Sequence, residues 1–88
     1  MKSSTATLIS SKRAAEAEAL RVYGVGAKVY RKLGADGRGA SVEVFNHVGA
    51  ASADGERRME IPVADGDDAS ELARLADAYR ALATALSV

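Results

Sequence analysis

The chain has 88 residues, no cysteine, and twelve basic residues against twelve acidic ones. This length suits one compact domain spanning residues 1–88, with a thin core and a frayed N-terminus at residues 1–4. The balanced charge excludes a global field that would attract nucleic acid or a membrane, and the lack of cysteine excludes disulfides and thiolate metal ligands. Because no apolar run reaches the length of a signal peptide core or a membrane span, we expect a cytoplasmic protein.

The first elements follow from composition. Residues 5–9, Thr-Ala-Thr-Leu-Ile, are compatible with a short edge strand at the terminus, and the sequence leaves this fourth strand open. Residues 11–22 are rich in good helix formers, with Ser10 or Ser11 as the N-cap and Gly24 or Gly26 as the stop. The sequence therefore predicts a first helix at 11–22.

The middle of the chain alternates with the period of two that is typical of strands. Alternation runs from residue 25 to 33 and resumes from 42 to 48, which predicts a hairpin with its loop at 34–39. Residue numbers paired across that loop sum to 73, so Tyr30 should face Glu43. A third strand is predicted at 56–63, with Pro62 near its end or on an edge because proline cannot donate to a ladder.

The last element is the clearest. Five apolar residues fall on one side of a helix predicted at about 68–86, namely Leu72, Leu75, Tyr79, Leu82 and Leu86. Asp67 or Asp68, together with Glu71, provides a capped and acidic first turn. Small residues occupy another side, which another helix could approach closely: Ala73, Ala76, Ala81 and Ala83.

These elements predict an α+β domain in the order (β)αβββα, with two helices packed on one face of a three-stranded antiparallel sheet, or of a four-stranded sheet if residues 5–9 pair. The helices should cover the side of the sheet that carries Val25, Val29, Leu33, Val42, Val44, Met59 and Ile61. The opposite side should then face water.

Two motifs suggest a chemical role, and the context of each argues against it. Gly24-Val-Gly26-Ala-Lys28 resembles the start of a phosphate-binding loop, but it leaves a helix and enters a strand, which is the reverse of such loops. The acidic run from Asp65 to Glu71 lacks the EF-hand spacing and is typical of a turn and helix cap. No nucleophile has a base at a motif spacing, so we predict no catalytic residue, no metal site and no cofactor.

The side of the hairpin away from the helices is the most specific functional feature of the sequence. Aromatic and basic residues should share it, which is typical of surfaces that stack single-stranded nucleic acid or dock on an acidic protein. The candidate interaction residues are Lys28, Tyr30, Lys32, Phe45, His47 and Arg58. An ordinary solvated face with cross-strand pairs is the alternative interpretation.

The order αβββα resembles, in layout, that of double-stranded-RNA-binding domains. Those domains carry a lysine cluster at the start of the last helix, whereas this chain has Asp65, Asp67, Asp68 and Glu71 there. Such a charge would repel a duplex, so the layout alone predicts no family.

The leading hypothesis is a small non-catalytic protein-binding module, which acts as an inhibitor, adaptor or assembly subunit through the hairpin face or the alanine-rich side of the last helix. One form of it is a phage or mobile-element protein that blocks a host defence complex, as anti-CRISPR proteins do. The alternative is a single-stranded nucleic-acid-binding domain using the hairpin face. Residues 1–38 carry a net +5 and residues 39–88 a net −5, which either neutralise each other within one fold or favour contact between copies. Together with the thin core, the second interpretation predicts homodimerisation.

Overall fold

The computed structural model describes residues 2–34, 39–46 and 58–87. Its first element, α1, spans Lys2–Tyr23, so residues 5–9 are helical and the prediction of a possible fourth strand there is wrong. Packing explains the difference, because a stripe at helical spacing contacts the core from the segment 5–9 onward: Leu8, Ser11, Ala15, Ala19 and Val22. The frayed N-terminus at residues 1–4 stays a prediction.

Gly24 ends α1 as the sequence predicts. Its backbone has φ +84°, a left-handed conformation that glycine adopts without strain. Its N–H donates to the Leu20 carbonyl at 2.9 Å, and its own carbonyl accepts from the Ala27 N–H at 3.2 Å. The glycine motif is therefore a helix stop that leads into a strand, as expected.

Three antiparallel strands follow: β1 at Ala27–Leu33, β2 at Gly39–Asn46 and β3 at Arg58–Pro62, in the order β1-β2-β3. The predicted hairpin register is confirmed, since Tyr30 pairs with Glu43 and its neighbours along β1 keep the same sum. The register shifts only at the end of β1, where Leu33 pairs with Gly39. The order αβββα and the mixed α+β class are thereby confirmed.

A short 3-10 turn at Asp68–Ser70 leads into the second helix, α2, at Glu71–Ser87. Its predicted apolar stripe is buried from Leu75 onward, whereas Leu72 remains 41% exposed. The core lies between the two helices and the inner side of the sheet, and its buried members include Ala15, Ala19, Val29, Val42, Val44, Leu75, Ala78, Tyr79, Leu82 and Leu86. None of the helices in the described residues is long and apolar enough to cross a membrane.

Two residues predicted on the inner side of the sheet are exposed instead. Val25 is 82% exposed because it lies in the turn between Gly24 and Gly26, before β1 begins. Leu33 is 58% exposed at the register shift that ends β1. The remaining predicted positions pack against the core or belong to it, so the prediction fails only at the two ends of β1.

The C-terminal ends of the two helices lie side by side. Arg21 donates from Nη2 to the Leu86 carbonyl at 3.1 Å, and the Ser87 hydroxyl donates to Glu18 Oε2 at 2.9 Å. Hydrogen bonds from Arg21 and Ser87 lower the pKa of Glu18 below its ordinary value. This arrangement directs α1 and α2 in parallel, with α1 over β1 and α2 over β2 and β3.

A charged residue lies at the border of the core. Arg31, on the inner side of β1, forms an ion pair with Glu71 in the first turn of α2. Its neighbour Tyr79 is buried, and burial raises the pKa of the Tyr79 phenol while the nearby Arg31 charge opposes that rise. The pair ties the strand to the helix at the end opposite to the Glu18 and Ser87 contact.

Arg74 holds the segment before α2 against the helix. Its guanidinium donates to the Ser70 hydroxyl at 2.9 Å, to the Ala64 carbonyl at 2.7 Å and to the Asp67 carbonyl. Gly66 lies close beneath it, because a Cβ built on Gly66 would stand 2.6 Å from Arg74 Nε. The acidic run thus forms the predicted turn and cap, in which Asp67 Oδ1 accepts from the Ser70 N–H at 3.0 Å.

This cap predicts a pH-dependent stability. Hydrogen bonds from Ser70 lower the pKa of Asp67, so the ionised carboxylate stabilises the fold above the ordinary aspartate pKa of ~3.9 and loses that effect as pH falls through the folded-state pKa. Asp67→Asn keeps the hydrogen-bond acceptor without the charge. We expect urea unfolding to find it less stable than wild type at pH 7, with a difference that shrinks as the pH falls below about 4. A difference that is constant across this range would contradict the assignment.

Candidate interaction surface

The side of the sheet away from the helices, called here the outer face, carries side chains of alternate residues from all three strands. Its described members are Lys28, Tyr30, Lys32, Ser41, Glu43, Phe45, Glu60 and Pro62. Lys28, Tyr30 and Lys32 are exposed along β1, as the alternation predicts. The structure therefore brings the three predicted β1 residues together on one strand.

The expectation that Phe45 is presented to solvent is wrong, because only 7% of its surface is exposed. The register places Phe45 on the outer face opposite Lys28, as predicted, but β2 is the central strand with a neighbour on each side. Ser41 and Glu43, which share that strand and face, are buried as well. Tyr30 is more accessible because it lies on an edge strand.

The other two candidates are only partly described. Arg58 begins β3, and its backbone pairs with Phe45, so it holds the expected register position beside the aromatic ring. Its side chain and the whole of His47 lie outside the described residues. The described candidate surface is therefore the β1 row of Lys28, Tyr30 and Lys32.

Carboxylates that the candidate set omitted alter the electrostatics of this face. The Tyr30 hydroxyl donates to Glu43 Oε1 at 2.6 Å, and Glu43 is 2% exposed. The Ser41 hydroxyl donates to Glu60 Oε2 at 2.6 Å, and Lys32 Nζ lies 3.7 Å from the same oxygen. The first of these contacts could be found from the sequence, because the hairpin register predicts that Tyr30 faces Glu43. The outer face is therefore a mixed network of polar groups and not a cationic surface.

A shallow depression of about 470 Å³ lies at the end of this network, lined by Lys32, Leu33, Gly34, Ser41, Glu60 and Pro62. Its polar groups are engaged with one another through the Ser41, Glu60 and Lys32 contacts. Among the residues that the structure describes, no group of three or more histidine, cysteine, aspartate or glutamate side chains is placed to hold a metal ion.

The alanine-rich side of α2, the second predicted docking surface, is only half used within the fold, because Ala73 and Ala81 are exposed. Ala76 is buried, and Ala83 packs against the core. Ser87, one helical turn after Ala83, bonds to Glu18 of α1, and Arg80 lines a groove with residues of α1. Near Ala83, the close helix approach that the small residues predict is the packing of α1 itself.

Most of the exposed large apolar side chains belong to α1, β1 and the turn between them. Among the described residues, six large apolar side chains are exposed, and five of them lie on α1, β1 or the turn between them: Ile9, Leu20, Val25, Tyr30 and Leu33. The sixth, Leu72, lies on α2. The sequence pattern did not single out Leu20, and it placed Val25 and Leu33 on the inner side of the sheet.

No protein-family model, curated protein or solved structure matches the chain. Its function is therefore inferred from the chemistry and geometry of this surface.

Proposed function

We propose that the chain is a small protein-binding module without catalytic activity, and that it docks through the side of the molecule formed by α1 and β1. The observation that carries the proposal is the concentration of exposed apolar side chains there, among them Leu20, Val25 and Leu33. Solvent-exposed apolar residues grouped on one side of a small domain are typical of an interaction surface.

Binding of single-stranded nucleic acid is less well supported. Successive bases need several accessible aromatic rings on a cationic groove, whereas Phe45 is buried and Tyr30 is bonded to the carboxylate of Glu43. Glu60 adds a second carboxylate to the outer face beside Lys32. These groups oppose a phosphate backbone more than they oppose a polypeptide.

Such a module can serve as an inhibitor, an adaptor or an assembly subunit, and the identity of its partner decides among these roles. A phage or mobile-element protein that occupies a site on a host defence complex is one form of the proposal. The support for this form of the proposal is that the described elements make one small compact fold.

The test is affinity capture from a lysate of the source organism with three versions of the chain. Leu20→Ser, Val25→Ser and Leu33→Ser are combined in one variant, and Leu72→Ser on α2 is the matched control. All four residues are exposed, so both variants should keep the wild-type circular dichroism spectrum. We expect the triple variant to lose the captured protein and the control to retain it.

Two results would contradict the proposal. One is equal capture by the triple variant and the control, which would remove the α1 and β1 side from consideration. The other is tight binding of a labelled single-stranded oligonucleotide that weakens steeply between about 50 and 200 mM salt, the behaviour of a phosphate-binding surface.

A further inference from the structure

The two edges of the sheet differ in their capacity to accept another strand. In the described part of the chain, β1 pairs with β2 on one side only, and it runs for seven residues without proline. At the opposite edge, β3 has five residues and ends in Pro62, which cannot donate to a ladder. An edge strand presents a row of backbone donors and acceptors to a partner, so β1 is the edge suited to strand addition.

The charge of β1 specifies the partner. The strand carries Lys28, Arg31 and Lys32 and no acidic residue. Arg31 is paired with Glu71 and Lys32 lies near Glu60, while Lys28 makes no ion pair with any residue that the structure describes. A strand with carboxylates opposite the two exposed lysines would complete this edge, whereas a basic strand would be repelled.

A strip of exposed side chains, apolar at its two ends and charged between them, runs beside the same edge. Ile9, Arg13, Glu16 and Leu20 follow one another at spacings of four, three and four residues, so they share one flank of α1. Ser10 and Ala14 line the groove between α1 and α2. The Ile9 and Leu20 flank therefore faces away from α2, toward the edge of the sheet that β1 forms.

The lengths of the strip and the strand agree. Ile9 and Leu20 are about 16 Å apart along the helix, and Ala27 and Leu33 are about 20 Å apart along β1. Leu20 and Val25 therefore flank one end of the edge, while Ile9 and Leu33 flank the other. An added strand would contact backbone along its length and apolar side chains at both ends.

We propose that β1 accepts an extended, acidic segment of a partner protein as a fourth strand of the sheet. This inference rests on the proposed protein-binding function and adds the surface and the chemistry of the partner. The side chains facing Lys28 and Lys32 are four residues apart in the incoming strand, so both should be Asp or Glu. The residue midway between these two faces Tyr30 and should be apolar. The residues on the opposite face of the incoming strand should also be apolar, because they contact the Ile9 and Leu20 flank.

A second copy of the chain does not meet this requirement through β1. If two β1 strands paired antiparallel about Tyr30, Lys28 of each copy would face Lys32 of the other. Like charges directly opposite each other destabilise a strand pair, so the same edge that selects an acidic segment rejects its own copy.

The probe is a synthetic peptide with blocked ends and a fluorescent label, Thr-Glu-Val-Phe-Val-Glu-Thr, compared with a peptide that has Lys in place of both Glu. We expect the acidic peptide to bind wild type at least tenfold more tightly than the basic one. Charge reversal by Lys28→Glu and Lys32→Glu should invert that preference, while Arg80→Glu on α2, an exposed control, should leave both affinities within twofold of wild type.

Backbone pairing is tested with two N-methylated versions of the same peptide, one methylated at the odd-numbered residues and the other at the even-numbered residues. The methylated phase that blocks the N–H groups facing β1 should abolish binding, whereas the other should bind within twofold of the parent peptide. Amide exchange should slow at residues 27–33 on addition of the parent peptide.

Four outcomes would overturn the inference: no saturable binding of the acidic peptide, equal binding of both methylated phases, displacement of the peptide by a single-stranded oligonucleotide, or a wild-type dimer that excludes the peptide. If the peptide fails while capture still depends on Leu20, Val25 and Leu33, protein binding stands and strand addition falls. If capture fails while the peptide binds with the expected preferences, the edge accepts strands and the wider apolar surface is not the docking site.

Discussion

Replacing Leu82 with alanine is expected to destabilise the fold by about 3 kcal/mol, because a buried leucine loses both its transfer free energy and the packing around the cavity it leaves. Leu82 is 0% exposed and belongs to the core between the helices and the sheet. A domain of this size has a total stability of order 5 kcal/mol. The variant should therefore unfold at a much lower urea concentration, and its melting temperature should fall by roughly 15 °C.

Leu72→Ala is the matched control on the same helix, since the chemistry is identical and Leu72 is 41% exposed. We expect it to change the free energy of unfolding by about 1 kcal/mol or less. Equal losses for the two variants would show that α2 does not present the Leu75, Tyr79, Leu82 and Leu86 stripe to the core.

Replacing Phe45 with alanine should also cost about 3 kcal/mol, because this is the only phenylalanine and it is buried on the central strand. The sequence pattern predicted Phe45 to be a surface contact, for which truncation would leave stability unchanged. Chemical denaturation followed by circular dichroism separates these two interpretations directly.

Two controls accompany this measurement. Lys28→Ala, directly across from Phe45 on β1, should stay within about 0.5 kcal/mol of wild type because Lys28 is exposed. Phe45→Leu keeps most of the apolar volume and should lose about 1 kcal/mol. If Phe45→Ala were as stable as Lys28→Ala, the ring would be a surface group after all.

The burial of Phe45 changes how a binding experiment on this protein should be designed. A loss of partner binding in Phe45→Ala would report unfolding as much as contact, since the ring supports the sheet. Exposed residues of β1 and of the α1 flank test recognition without that ambiguity.

The sheet was predictable because side-chain alternation is a local property that also determines pairing. The period-two pattern on either side of the 34–39 loop placed Tyr30 opposite Glu43, and the structure has that pair. The helix α2 was equally predictable, since apolar residues that recur with a period near 3.6 from Leu72 to Leu86 are typical of an amphipathic helix.

The errors arose where tertiary packing outweighed local preference. Residues 5–9 have threonine and isoleucine at alternate positions, but Leu8 and Ser11 continue the stripe that packs α1 on the core, so the helix extends to Lys2. Alternation assigned Phe45 to the correct face and could not tell a central strand from an edge strand. The exposure of each outer-face residue depends on the order of the strands in the sheet. The pairing pattern of a single hairpin does not give that order.

The contacts between the ends of α1 and α2 have a consequence for synthesis of the chain. Arg21 and Leu86 are separated by 65 positions, and Glu18 and Ser87 by 69. Because α1 precedes α2 in the sequence, α1 is synthesised first and cannot make these contacts until α2 has been made. The side of α1 that faces the core is small at its centre, where it carries Ser11, Ala15 and Ala19, so few large apolar side chains lose their cover during that interval.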